Sequence, residues 1–238
     1  MTFTSLEFIF LFLPLCTAGY YIFGKKYRNL FLSIASLVFY AAGEPKRIVI
    51  LIASILANHA FGIMIKKSLK KPAARVAILV ASLVFNFGIL FYYKYMLYSL
   101  GAQNITLPLG LSFFTFRTVS YILDIYWEMM PGDRGLMDAV LYIAFFPQIS
   151  MGPISRYTDF ARDMENRSFD ITVFLAGIKR IIEGLFKKLV IADTLLPMIG
   201  TSFGMEASQR SVALAWLGLI GFMIQLYYDF VGYTDIAI

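Results

Sequence analysis

Residues 48–65 read IVILIASILANHAFGIMI, a run with no Asp, Glu, Lys or Arg in it. An α-helix rises about 1.5 Å per residue, so about 20 mostly apolar residues carry it across roughly 30 Å of hydrocarbon. No water satisfies a backbone N–H or C=O in that layer, so such a run is stable there only as a helix. Windows 5–23, 76–100 and 211–230 are likewise long and apolar, with one charged residue each, Glu7, Lys94 and Asp229. The chain of 238 residues is 59% hydrophobic and 15% charged, with a mean hydropathy of +0.72. That is more apolar surface than one soluble core covers. These features predict an all-α fold, a polytopic transmembrane helix bundle forming one membrane domain over residues 1–238. The leader MTFTSLE carries an acid and no Lys or Arg, and the basic cluster follows the apolar run, so the first span is expected to be retained rather than cleaved. Cys16 is the one cysteine, which excludes an internal disulfide and a cysteine-rich zinc site; no metal is expected.

The net charge of +6 follows topology. KKYR (25–28) comes after the first span and KKSLKKPAAR (66–75) after the third, whereas EPKR after the second is nearly neutral. Basic loops remain cytoplasmic, which predicts an N-terminus outside and both strongly basic loops inside. A solvated cytoplasmic rim accounts for these charges, and nucleic-acid binding is not called for.

Within the apolar stretch LSFFTFRTVSYILDIYW, Arg117 and Asp124 lie seven residues apart, two turns along one helical face. Ionisable groups at that depth mark either a site or an internal ion pair. A loop, EMMPGDRGLMD, follows. Residues 139–154, AVLYIAFFPQISMGPI, are short for a span, broken by Pro147 and Pro153, and hold Gln148. They read as a re-entrant or broken segment lining a cavity, or as a kinked helix. Residues 170–190 place Lys179, Glu183 and Lys187 four apart opposite Ile178, Ile182, Leu185 and Leu189, which predicts an interfacial amphipathic helix. The last stretch, YYDFVGYTDIAI (227–238), reads as an apolar segment closing on a turn that carries Asp229 and Asp235. GYYIFGKK (19–26) fails as a phosphate-binding loop because Lys26 stands where a Ser or Thr would hold magnesium. His59 reads as a polar residue hydrogen-bonded across helices more readily than as a general base.

LPLGLSFFTFRTVSYILDIYW, YIAFFPQISMGPISRY, GLFKKLVIAD and YYDFVGYTDIAI, in that order and spacing, resemble the N-terminal half of the membrane-bound O-acyltransferase family, in particular its alginate O-acetylation branch. The resemblance implies a helical bundle around a tunnel and transfer of an acyl group, acetyl in that branch, to hydroxyls of an exported polysaccharide. The donor implied is acetyl-CoA or an acyl carrier thioester, with no bound cofactor. Implied partners are membrane lipids, a donor or carrier protein and extracytoplasmic polysaccharide-acetylation proteins, in a bacterial inner membrane. The family's histidine falls in a second half beyond the last motif, so no catalytic residue is assigned here, and this polypeptide alone is expected to be inactive. Residues carried over as lining the substrate pathway are Arg117, Asp124, Gln148, Ser150, Arg156, Lys187, Lys188, Asp229, Tyr233 and Asp235, with Gly152, Pro153 and Asp193 in the same motifs. The cytoplasmic cations are expected to attract an anionic donor, and the intramembrane acids to fix helix contacts. The alternative is a non-catalytic transmembrane scaffold or acyl-transfer conduit acting with partner chains.

Overall fold

The computed structural model describes residues 3–96, 107–129, 135–165, 167–206 and 209–238. Among these the regular structure is entirely helical, as the apolar periodicity requires. Most of the turn expected after the fourth span and the Pro-Gly part of the loop after Trp127 lie outside the described residues. Among the described residues three helices are long and apolar enough to cross a membrane, Ile48–Lys67, Pro72–Met96 and Val212–Ala237. The first expected span is shorter than residues 5–23 and is helical over Phe8–Ile22. By contacts the chain forms two compact units, the first comprising Leu6–Ser150 and Ile154–Ser168, the second Phe3–Ser5, Met151–Pro153 and Phe169–Ile238.

The first unit opens with a π-helical turn, Phe8–Phe12, that runs into α1 (Leu13–Ile22). It continues through α2 (Arg28–Gly43), α3 (Ile48–Lys67), α4 (Pro72–Phe91) with its π-helical extension Tyr92–Met96, α5 (Leu111–Tyr126), α6 (Leu136–Ala144) and α7 (Tyr157–Glu165). α5 is the central element and packs against α3, α4, α6 and α7. Its buried positions Leu111, Phe114, Tyr121, Ile122 and Ile125 recur at helical spacing and join Tyr40, Leu51, Ile55 and Tyr142 in one core. Its start is fixed from three sides. Tyr40 donates its hydroxyl to the Leu109 carbonyl (3.1 Å), and Glu44 accepts the Leu109 N–H (3.0 Å). Gly110 has φ +67°, and a Cβ there would fall on the Ile149 carbonyl, so only glycine fits both the dihedral and the approach.

The segment expected over 139–154 is broken, and the break falls just upstream of Pro147. α6 begins at Leu136 and ends at Ala144, a 3-10 turn spans Phe146–Gln148, and the chain is irregular from there to α7. Proline restricts the residue before it as well as removing a donor, which ends the helix upstream of Pro147.

The second unit is built from α8 (Ile171–Leu185), a π-helical run Phe186–Ala192, α9 (Asp193–Gly204) and α10 (Val212–Ala237). Asp170 caps α8 by accepting the Thr172 N–H (2.7 Å), and Ser211 caps α10 through Leu214 N–H (3.2 Å). Two expectations are corrected here. The amphipathic helix does not run as plain α-helix to residue 190 but unwinds into the wider π run after Leu185. Nor does the last stretch turn: α10 continues to Ala237, so Asp229 and Asp235 sit on a helix. The glycines explain why it can continue. A Cβ on Gly232 would lie 2.8 Å from the Gly184 carbonyl oxygen and one on Gly184 2.6 Å from that of Gly232, so the two helices cross with backbones in contact.

In the first unit α3 and α4 are joined by a polar pair. Asn58 donates to Asn86 Oδ1 (3.0 Å) and Asn86 to Asn58 Oδ1 (2.7 Å), while each amide also donates to the carbonyl four residues back, Ser54 and Ser82. Both side chains are buried. A buried amide that loses its partner costs about 1–3 kcal/mol, more than the pair itself contributes. Asn58→Leu is therefore expected to lower unfolding stability in detergent by about 1–2 kcal/mol, and N58L/N86L by less than the two single losses together. Chemical unfolding of the four proteins checks this; strict additivity would contradict the pairing.

Candidate functional site: two buried polar clusters

The first cluster centres on Arg117, whose side chain is 0% exposed. α5 carries it toward the broken segment, where it donates to Gln148 Oε1 and to the Tyr142 carbonyl, the latter left without an intrahelical donor by the break after Ala144. Its guanidinium carbon also lies 4.4 Å from the centroid of the Tyr142 ring and 5.6 Å from that of Phe160. A guanidinium tolerates this site because its planar fork hydrogen-bonds at the rim while its faces rest on rings. Tyr142 in turn donates its hydroxyl to the Ser155 carbonyl (2.7 Å), tying the irregular stretch to α6. Asp124 is buried too and accepts the Thr158 N–H (2.9 Å) in the first turn of α7, where a carboxylate meets the positive end of the helix dipole. The two charges of α5 thus hold the elements on either side of the break.

The second cluster lies between the π run and α10. Lys187 and Lys188 are adjacent, yet each meets a different acid of α10: Lys187 lies 2.5 Å from Asp235 Oδ2 and Lys188 2.5 Å from Asp229 Oδ1. π-helical winding turns consecutive side chains less far apart than α winding does, which lets both lysines address one neighbouring helix. Arg180 Nε reaches Asp235 Oδ1 (3.1 Å), and Lys188 also donates to Asp193 Oδ1 (3.0 Å). The hydrogen bond it donates to Asp235 holds the Lys187 ammonium above its ordinary pKa. Burial alone would lower that of Lys188, but its bonds to Asp229 and Asp193 more than offset this and raise it. Both lysines are cations at neutral pH, balanced within the cluster.

The expected pathway residues thus divide between the units. Arg117, Asp124, Gln148, Ser150 and Arg156 belong to the first, and Lys187, Lys188, Asp229, Tyr233 and Asp235 to the second. Ser150 is buried and Arg156 exposed. Tyr233 packs edge-on against Phe3, with ring centroids 4.9 Å apart. Gly152 is buried and Pro153 half-buried in the irregular stretch. His59 shares a hydrogen bond with the Tyr121 hydroxyl through Nδ1 (3.1 Å), a contact across α3 and α5. Residues that join the clusters without having been singled out are Tyr142, Thr158 and, as a ligand of Asp235, Arg180. Thr158 contributes a backbone N–H, which no side-chain motif signals. Among the described residues no group of three or more His, Cys, Asp or Glu is placed to hold a metal ion.

These features define a multi-pass helical membrane protein with buried, protein-paired charges. Residues 131–238 match MBOAT, the membrane-bound O-acyltransferase family. The whole chain is 34% identical over 253 residues to a probable alginate O-acetylase AlgI of Pseudomonas aeruginosa, covering 48% of that protein. It is 30% identical over 281 residues to a peptidoglycan O-acetyltransferase of Helicobacter pylori, covering 53%. Over 142 residues it is 29% identical to a teichoic acid D-alanyltransferase of Bacillus subtilis, with 57% of this chain and 35% of that protein covered. The chain belongs to the membrane-bound O-acyltransferase family. It spans about half the length of the O-acetylating relatives it matches.

Because the Lys187 pKa is higher folded than unfolded, the stability it contributes is fully present below the ordinary lysine pKa and is lost as pH rises through the raised value. The wild-type chain is expected to lose thermal stability on the alkaline limb more steeply than Asp235→Asn, which lacks the carboxylate that raises it. Melting curves across the alkaline range check this; identical slopes would contradict it.

Proposed function

We infer that this chain forms part of a membrane-bound O-acyltransferase that moves an acyl group, acetyl by preference, from a thioester donor to hydroxyls of an exported polysaccharide such as alginate. The observation that carries the reading is the whole-chain likeness to proteins named as O-acetylases and O-acetyltransferases, spanning each of the motifs that build the two clusters. In the reaction the acceptor oxygen attacks the thioester carbonyl, the carbon–sulfur bond breaks, and the hydroxyl proton leaves with the thiol. A base near the acceptor is worth about 10²- to 10⁴-fold, and no side chain of this chain is assigned that role.

The residues here supply position and charge. Arg117 and Asp124 hold the broken segment in one conformation, which keeps Gln148 and Ser150 fixed beside it. The Lys187–Asp235 and Lys188–Asp229 pairs lock the π run to α10. Arg156 is exposed and is the cation in these motifs available to an anionic donor, a coenzyme A phosphate or the acidic surface of a carrier protein. Extracytoplasmic polysaccharide-acetylation proteins would take up the product side, with the chain in a bacterial inner membrane, its N-terminus outside.

The test uses membranes containing the full-length protein that carries this chain, a radiolabelled acetyl thioester and purified polymer. Label is expected on polymer hydroxyls, and Arg156→Ala is expected to raise the KM for the donor about tenfold with kcat kept, the signature of lost donor binding. Absence of transfer from acetyl-CoA and from an acetylated carrier protein alike to any exported polysaccharide would overturn the reading. An unchanged KM would leave the acyl transfer standing and remove Arg156 from donor binding.

A further inference from the structure

The first turn of α2 carries an arrangement that neither the fold nor the acyl-transfer reading uses. Arg28 stands at the first position of the helix, where the dipole is positive, and α2 begins without a side-chain cap and with no acid in its first turn. A cation there is disfavoured unless an anion accompanies it. Among the described residues the Arg28 guanidinium donates no hydrogen bond and meets no carboxylate; its contacts are the rings of Tyr20, 4.8 Å away, and Tyr21, 5.9 Å away. Its Nε is buried and has no hydrogen-bond partner. A second guanidinium comes to the same ring: Arg167 lies 5.6 Å from the Tyr20 centroid and is anchored by a single bond to Asn29 Oδ1 (3.2 Å). Lys25 and Lys26 stand exposed beside them. All of these groups belong to the first unit.

Two like charges on one tyrosine repel each other, and stacking on the ring offsets this only in part. What would satisfy the arrangement is an acceptor with several anionic oxygens, able to take parallel N–H bonds from both forks, with the uncapped helix start adding to the same field. The two non-bridging oxygens of a phosphodiester are splayed tetrahedrally about phosphorus, so each can face one fork, whereas a carboxylate holds its pair in one plane matched to a single fork. We propose that Arg28 and Arg167, held against Tyr20 at the start of α2, form a binding site for a phosphate ester, such as the headgroup of an anionic phospholipid. Tyr20 orients both forks, Asn29 holds Arg167, and Lys25 and Lys26 raise the local anion concentration.

The full chain, purified in a neutral detergent, is titrated with short-chain phosphatidylglycerol, with phosphatidylcholine of the same chain length and with inorganic phosphate, following the thermal midpoint. A ligand bound only by the folded state raises that midpoint saturably. Phosphatidylglycerol is expected to do so and phosphatidylcholine not. In R28Q/R167Q the half-saturating concentration is expected to rise about 10- to 100-fold, the range for losing charge-assisted hydrogen bonds. Competition by inorganic phosphate would assign the site to free phosphate groups; its absence would assign it to the lipid diester. A phosphatidylglycerol response matched by phosphatidylcholine, or unchanged in R28Q/R167Q, overturns the proposal. Should that variant fail to fold, R28K/R167K keeps both charges without the planar fork, and undiminished binding by it overturns the proposal equally.

Discussion

A guanidinium with none of its surface exposed has to be surrounded by protein acceptors, and that requirement organises the first unit. Arg117 takes a side-chain oxygen from Gln148 and a backbone oxygen from Tyr142. The second acceptor exists only because α6 stops at Ala144, so the carbonyls of its last turn have no N–H to accept from. The break and the buried cation therefore need one another. A continuous helix would deny Arg117 its carbonyl, and an apolar residue at 117 would leave the broken end of α6 unsatisfied at a depth where water does not repair it.

The second unit solves the same problem with paired side chains. Lys187, Lys188 and Arg180 face Asp193, Asp229 and Asp235, and no charge in the cluster is left without an opposite. The π run makes this possible by aiming adjacent lysines at one helix, and the bare backbones at Gly184 and Gly232 bring that helix close enough. A charge lattice of this kind contributes little net stability after desolvation, but it penalises any register in which a partner is missing. Its value is specificity of helix packing, which is what a membrane interior cannot supply through the hydrophobic effect.

Much of this was legible in the sequence. The long apolar runs gave α3, α4 and α10, and Pro147 with Pro153 marked the broken segment. Arg117 and Asp124 stood out because charge is rare among such residues. The rest depended on tertiary proximity. Nothing local distinguishes Asn58 and Asn86, 28 residues apart, as each other's partners. The π winding after Leu185 leaves no periodic signature over so few residues, and the continuation of α10 past Phe230 was hidden by Gly232, which reads as a turn residue but serves as a packing surface. The division of the motif residues between two units could not be read from their order along the chain.

The coupling of Arg117 to the broken segment orders the first unit, and a double-mutant cycle on Arg117→Met and Gln148→Leu measures it directly. With unfolding followed in detergent or bilayer, the two changes are expected to interact by about 1 kcal/mol or more, since either change alone already removes the hydrogen bond the two share. Losses that simply add, within about 0.3 kcal/mol, would show that the buried cation does not depend on that partner and would contradict the account.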